Sequence, residues 1–143
     1  MLKFIQMLLA LMACPVMAQS QWSVGTGYQY GGVLGVRYNV PVGEYKQLSI
    51  AVSPILGVAM GYQQSLDDMA VHALGFSTGF EEFTADDGFV VLTYNYYPDR
   101  FRNTGWSLGV DAGIRTIGSK DFLGYKTDRS LYPALFINLG YQF

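Results

Sequence analysis

One histidine, one cysteine, and the serines and charged residues near them are the side chains here whose types could carry catalysis or metal binding. His72 is the sole histidine. Ser65, Asp67, Asp68 and Ser77 lie near it in sequence and are the residue types of a nucleophile–base–acid triad. The alternation described below, however, gives His72 an outward position beside a loop, which suits a polar residue at a membrane surface better than a catalytic base. Catalysis is therefore not expected, and no catalytic residue is assigned. Asp67-Asp68 could attract a divalent cation, and Arg100 and Arg102 could meet phosphate groups. A solvated loop explains both pairs as simply. One histidine and one cysteine (Cys14) are a poor set for a metal centre, so no metal and no cofactor is expected. Four further charges, Arg37, Glu81, Asp111 and Arg115, stand within otherwise apolar or small-residue segments. They read as a polar network that neutralises itself inside a barrel lumen, in preference to a binding or catalytic cluster.

The elements that carry these residues are strands. Trp22, Val24, Thr26, Tyr28 and Tyr30 alternate with Ser23, Gly25, Gly27 and Gln29. Leu34, Val36, Tyr38 and Val40 oppose Gly35, Arg37 and Asn39. From Leu48 to Tyr62 the apolar residues again fall on even positions and the small ones on odd. The same holds for Leu74, Phe76 and Phe80, for Val90 to Tyr96, and for Trp106 to Ile114. Side chains on a strand point alternately to its two faces, so each segment has one greasy face and one small or polar face. A helix would scatter these apolar residues around its circumference.

Turn residues separate the segments at Gly31-Gly32, Pro41 to Lys46, Gln63 to Asp68, Thr84 to Gly88, Pro98 to Thr104 and Gly118 to Asp121. Most charges lie in or beside these breaks. Those within strands fall mainly on the small face, which turns that face inward and the apolar face outward. Seven segments are clear, and Asp121 to Thr127 is a weak eighth, with Leu123 and Tyr125 facing out. Pro54 interrupts the long run from Leu48 to Tyr62 and should mark a bulge or a rim, because proline cannot donate to a ladder. Outward parity continues unbroken through Gly31-Gly32, which requires a connection with an odd number of residues.

The final stretch, Leu135 to Phe143, has Leu135, Ile137, Leu139, Tyr141 and Phe143 on one face. An apolar strand ending on an aromatic resembles the last strand of the small outer-membrane β-barrel proteins of Gram-negative bacteria, the OmpA/OmpX type. The resemblance is one of class and pattern, and points to no narrower family. It implies an all-β fold, an eight-stranded antiparallel up-and-down transmembrane β-barrel with both termini on the periplasmic side. It also implies that Leu139, Tyr141 and Phe143 are read by the barrel-assembly machinery, and that the outer wall meets membrane lipid and lipopolysaccharide. The His and Ser that outer-membrane deacylases carry on the C-terminal strand are missing here.

The other end of the chain agrees. Lys3 precedes an apolar run from Phe4 to Ala13, and Val16-Met17-Ala18 supplies the residues a signal peptidase reads. Residues 1–18 are expected to be a cleaved secretory signal, and 19–143 the barrel domain in the outer membrane. Leu11-Met12-Ala13-Cys14 is close to a lipoprotein box, but the preceding segment is short and Met12 fits poorly. With cleavage after Ala18 the only cysteine is lost, so the exported chain would have no disulfide. Lys3 is the one charged residue of that leader. The remaining 125 residues therefore carry eight Lys/Arg and eleven Asp/Glu, a net charge of −3. That is too weak and mixed for a nucleic-acid partner. Eleven Tyr, nine Phe and 17 Gly with few charges suit a membrane barrel.

The function expected is that of a small outer-membrane barrel with a structural or interaction role and no enzymatic activity. A secreted or periplasmic barrel holding an apolar ligand is the alternative, and a lipid-modifying outer-membrane enzyme a weaker one. The facing rule separates the first two, because a soluble carrier turns its apolar residues inward.

Overall fold

The computed structural model describes residues 21–53, 57–81, 87–120 and 126–143. The expected signal segment, with Cys14 and the Ala18–Gln19 junction, lies outside the described residues. Eight antiparallel strands form one closed barrel in sequence order. They are β1 (Gln21–Gly27), β2 (Gly32–Gly43), β3 (Lys46–Ser53), β4 (Gly57–Ser65), β5 (His72–Glu81), β6 (Asp87–Tyr96), β7 (Gly105–Lys120) and β8 (Lys126–Gln142). The seam closes where β1 meets β8, with Val24 opposite Tyr141 and Gly25 opposite Gly140. Closure gives every strand a hydrogen-bonded neighbour on both sides, and at the seam the shared ladder runs over Ser23–Thr26 and Leu139–Gln142.

The count of eight arises differently from the sequence expectation. Pro54 lies outside the described residues, between the end of β3 and the start of β4. The run from Leu48 to Tyr62 is thus two strands, paired Ser53 to Gly57 and Leu48 to Tyr62. The expected eighth segment, Asp121 to Thr127, falls mostly on residues that are not described, and its last two, Lys126 and Thr127, open β8. This relocation of the eighth strand also decides which end each loop occupies. The connections at 44–45, 66–71 and 97–104 lie at the same end as the start of β1 and the end of β8, the terminal end of the barrel.

The period-two pattern becomes an inverted polarity. Leu48, Ile50, Val52, Met60, Phe76, Leu92, Leu108, Leu135 and Ile137 are exposed on the outer wall, while Ser49, Gln63, Ser77, Thr93, Asn95 and Asn138 are buried inside. The β7–β8 hairpin is the longest. β6 stops pairing with β7 at Phe89–Arg115, whereas β7 and β8 continue to Lys120–Lys126. The extra length rises past the rim at the end away from the termini.

The first hairpin departs from expectation. Outward parity through residue 30 predicts outward Tyr28 and Tyr30, but β1 ends at Gly27. The next three residues form a single 3₁₀ turn, Tyr28–Tyr30, which is buried in the lumen. A bulge between Gly25 and Gly27 shifts the register at that point. Below the bulge Trp22 still faces Tyr38 and Val24 faces Val36, so the even-to-even parity of β1 and β2 holds there.

Candidate functional site

The lumen is where the polar side chains converge, and it is filled in three layers. Toward the end away from the termini, Tyr28 packs its ring 4.9 Å from Phe89 and 6.1 Å from Phe136, beside Ala51, Ala59 and Ala134. At the terminal end, Tyr97 and Phe101 from the 97–104 loop make an edge-to-face pair 5.3 Å apart and close over Ala73. Between these aromatic layers lies a hydrogen-bonded network.

Arg37 on β2 is its only cation, 1% exposed. Its Nε donates to Ser23 Oγ at 3.2 Å and its Nη1 donates to the Gln29 amide oxygen. The guanidinium also sits 4.6 Å from the centre of the Tyr30 ring, where the ring's negative face attracts a cation. Asp111 on β7 is fully buried. It accepts from Asn138 Nδ2 at 2.7 Å and, weakly, from the Gln29 backbone N–H at 3.5 Å. Arg37 and Asp111 therefore face opposite sides of Gln29 and form no direct ion pair.

Glycines make the room for Gln29 and its neighbours. A Cβ on Gly25 would come within 2.7 Å of the Tyr30 ring, and one on Gly140 would strike the Tyr30 hydroxyl. At Gly35 it would strike the Tyr30 carbonyl. Glycines on the inner faces of three strands thus form a slot for one aromatic residue. Gly31 takes a left-handed φ of 80° and turns the chain back into β2, a conformation that costs glycine nothing.

Of the four charges expected to share the lumen, the structure brings Arg37 and Asp111 together through Gln29. Arg115 is half-buried near the end away from the termini, where the ladders pair it with Phe89 on β6 and Tyr132 on β8. The Glu81 side chain lies outside the described residues. Gln29, Gln63, Asn95 and Tyr97 are network members that the sequence did not single out. The one available signal was the pair of glycines, Gly27 and Gly31, that flank the turn.

His72 lies on the outer wall, its Nδ1 2.8 Å from Tyr94 Oη, its ring near-parallel to that of Tyr94 and tilted against that of Tyr96. The groups that could complete a triad are engaged elsewhere. Asp67 accepts from the backbone N–H groups of His72 at 2.9 Å and Val71 at 3.2 Å. Ser65 Oγ donates to the carbonyls of Asp67 and His72. The His72 amide, followed by that of Val71, holds the Asp67 carboxyl below its ordinary range. Asp67 and Asp68 share the terminal end with Arg100 and Arg102. Arg102 Nη1 donates to the carbonyls of Gly43 at 2.6 Å and Glu44 at 2.9 Å, tying the 97–104 loop to the β2–β3 turn.

Leu139, Tyr141 and Phe143 lie along the outer wall. Tyr141 packs edge-on to Trp106 at 5.1 Å, and the Phe143 N–H donates to the Trp22 carbonyl at 2.9 Å. Protein-family models, curated proteins and solved structures were all compared with this chain, and none matches it.

Proposed function

We propose that this chain is a small outer-membrane β-barrel protein with a structural or interaction role and no chemistry of its own. One observation carries the reading: the barrel wears its apolar residues outside and its amides, hydroxyls and charges inside. In water such a wall would expose far more contiguous apolar surface than a soluble monomer tolerates. In a bilayer the same wall is matched to its solvent. The few outward hydroxyls support this, since Thr78 donates to the Phe89 carbonyl at 2.9 Å and Thr116 to the Gly88 carbonyl at 3.2 Å. Polar groups facing hydrocarbon need such internal partners.

Ring pairs on the outer wall gather toward the terminal end: Trp22 with Tyr38, Trp106 with Tyr141, and His72 with Tyr94 and Tyr96. Amphipathic rings favour the bilayer interface. A ten-residue strand such as β6, rising ~3.3 Å per residue at a tilt near 40°, spans about 25 Å, the height of an outer-membrane apolar band.

With both termini in the periplasm, Asp67, Asp68, Arg100 and Arg102 face the periplasm too. Lipopolysaccharide contacts would then fall to the opposite rim and not to these residues. The lumen, filled by aromatic layers and a polar network, suits neither an apolar ligand nor a diffusion pore.

The test is cell fractionation with gel migration before and after heating. The reading expects outer-membrane recovery, heat-modifiable migration, and an unlipidated N-terminus at Gln19. It also expects that deleting Phe143 lowers membrane assembly. Recovery as a soluble periplasmic protein would defeat it.

A further inference from the structure

Gln29 occupies the lumen in the manner of a bound ligand. Its side-chain oxygen faces three donors from three different strands: Arg37 Nη1, Gln63 Nε2 at 2.9 Å and Asn95 Nδ2 at 3.4 Å. An amide oxygen has two lone pairs, whereas a carboxylate has about four acceptor sites and pairs with guanidinium by charge-assisted bonds. The donors are held in place from behind. Gln63 Oε1 accepts from Gln47 Nε2 at 3.0 Å and from Tyr97 Oη at 2.9 Å, which leaves its Nε2 facing Gln29. Arg37 can only donate. Asn95 presents its oxygen to Gln29 Nε2 at 2.9 Å, and rotating that one amide would make the whole cradle donate. Arg37 meanwhile has no direct carboxylate partner among the described residues.

We propose that the lumen holds a binding site for a small carboxylate, centred on Arg37, which Gln29 occupies from within. The cradle belongs to the wall, but its occupant does not. Gln29 rides on a turn flanked by Gly27, Gly31 and Gly32, all at positive φ, and the β1–β2 ladder is broken by a bulge just before it. Swinging this turn outward would leave the donors of β2, β4 and β6 in place. It would also empty the glycine slot now filled by Tyr30. Asp111 lies on the backbone side of Gln29 and is bonded to Asn138. Its like charge restricts the site to a single carboxylate. In the natural chain a ligand competes with the turn, so its apparent affinity falls by the fraction of open molecules.

The experiment uses the full chain refolded in detergent micelles, with Gln29→Ala beside the natural sequence. The probes are sodium propionate, propionamide and ethylammonium chloride at matched ionic strength. Propionate should raise the urea midpoint of Gln29→Ala saturably and bind at least tenfold more tightly than propionamide. Ethylammonium should do nothing, and adding Arg37→Met should abolish the effect. In the natural chain propionate should move the Gln29 and Gly31 amide resonances at higher concentration. Equal rescue by propionamide, no saturable response to propionate, or unmoved resonances in the natural chain would each overturn the proposal. Should Gln29→Ala not fold, Gln29→Glu decides. Its urea midpoint at neutral pH should exceed that of the natural chain and drop on acidification as the new carboxyl is protonated. A midpoint below that of the natural chain would overturn the proposal.

Discussion

Tyr30 lies against Gly140, close enough that a Cβ on residue 140 would collide with the Tyr30 hydroxyl. Gly140→Ala should therefore cost about 1–3 kcal/mol, the range for overfilling a packed interior. Removing the ring should relieve the clash, so Tyr30→Ala with Gly140→Ala should cost less than the two single changes added together. A double-mutant cycle by reversible urea unfolding in lipid vesicles reads this coupling. Additive losses would mean that the ring does not occupy the slot.

Val110 and Asp111 are neighbours on β7 facing opposite sides, one exposed on the wall and one buried in the lumen. Val110→Arg should cost roughly 2–4 kcal/mol in vesicles, as expected for a cation on the lipid face near mid-membrane. Asp111→Asn keeps an acceptor for Asn138 but places an N–H group toward the Gln29 amide. A loss of about 1–3 kcal/mol follows from leaving buried groups unpaired. A neutral Val110→Arg would mean that the wall does not face lipid.

Arg100 holds a φ of 76° in the 97–104 loop, a left-handed conformation that a side chain disfavours. Its backbone carbonyl accepts from Asn103 and its N–H donates to Tyr97. Both bonds survive substitution. Arg100→Gly should stabilise the barrel by roughly 0.5–1 kcal/mol. Arg102 also has a positive φ, of 74°, but its guanidinium anchors the loop to Gly43 and Glu44. Arg102→Gly should instead speed amide exchange at Asn103. Hydrogen exchange on both variants separates the two outcomes.

Asp67 caps the N–H groups of Val71 and His72, and its carboxyl is held below the ordinary value of 3.8. A depressed folded-state pKa contributes stability above the unfolded value and loses it as pH falls through the folded one. Asp67→Asn should thus be slightly less stable than the natural chain at neutral pH. The difference should begin to narrow near pH 4 and close once the pH falls below the depressed folded-state value, because a protonated Asp caps much as Asn does. Urea midpoints measured from neutral pH downward check this. A gap that persists in acid would assign the cap to shape, not charge.

The alternation from Trp22 to Phe143 made the strands, their facing and the polar lumen readable from sequence. A strand's two faces repeat every second residue, so a short window carries the whole signal. The placement of Pro54 hinted at a break for the same local reason. The turn into the lumen was not readable. Tyr28 and Tyr30 continue the outward parity, and the glycines beside them, Gly27 and Gly31, mark a turn without saying that it enters the lumen. Their burial depends on Gly25, Gly35 and Gly140, which come together only when β8 closes against β1. It depends also on Arg37, Gln63 and Asn95, whose donors converge on Gln29 from three strands. Local pattern decided which face each wall residue takes. Barrel closure decided what fills the middle, because the space and the partners come from strands far apart in sequence.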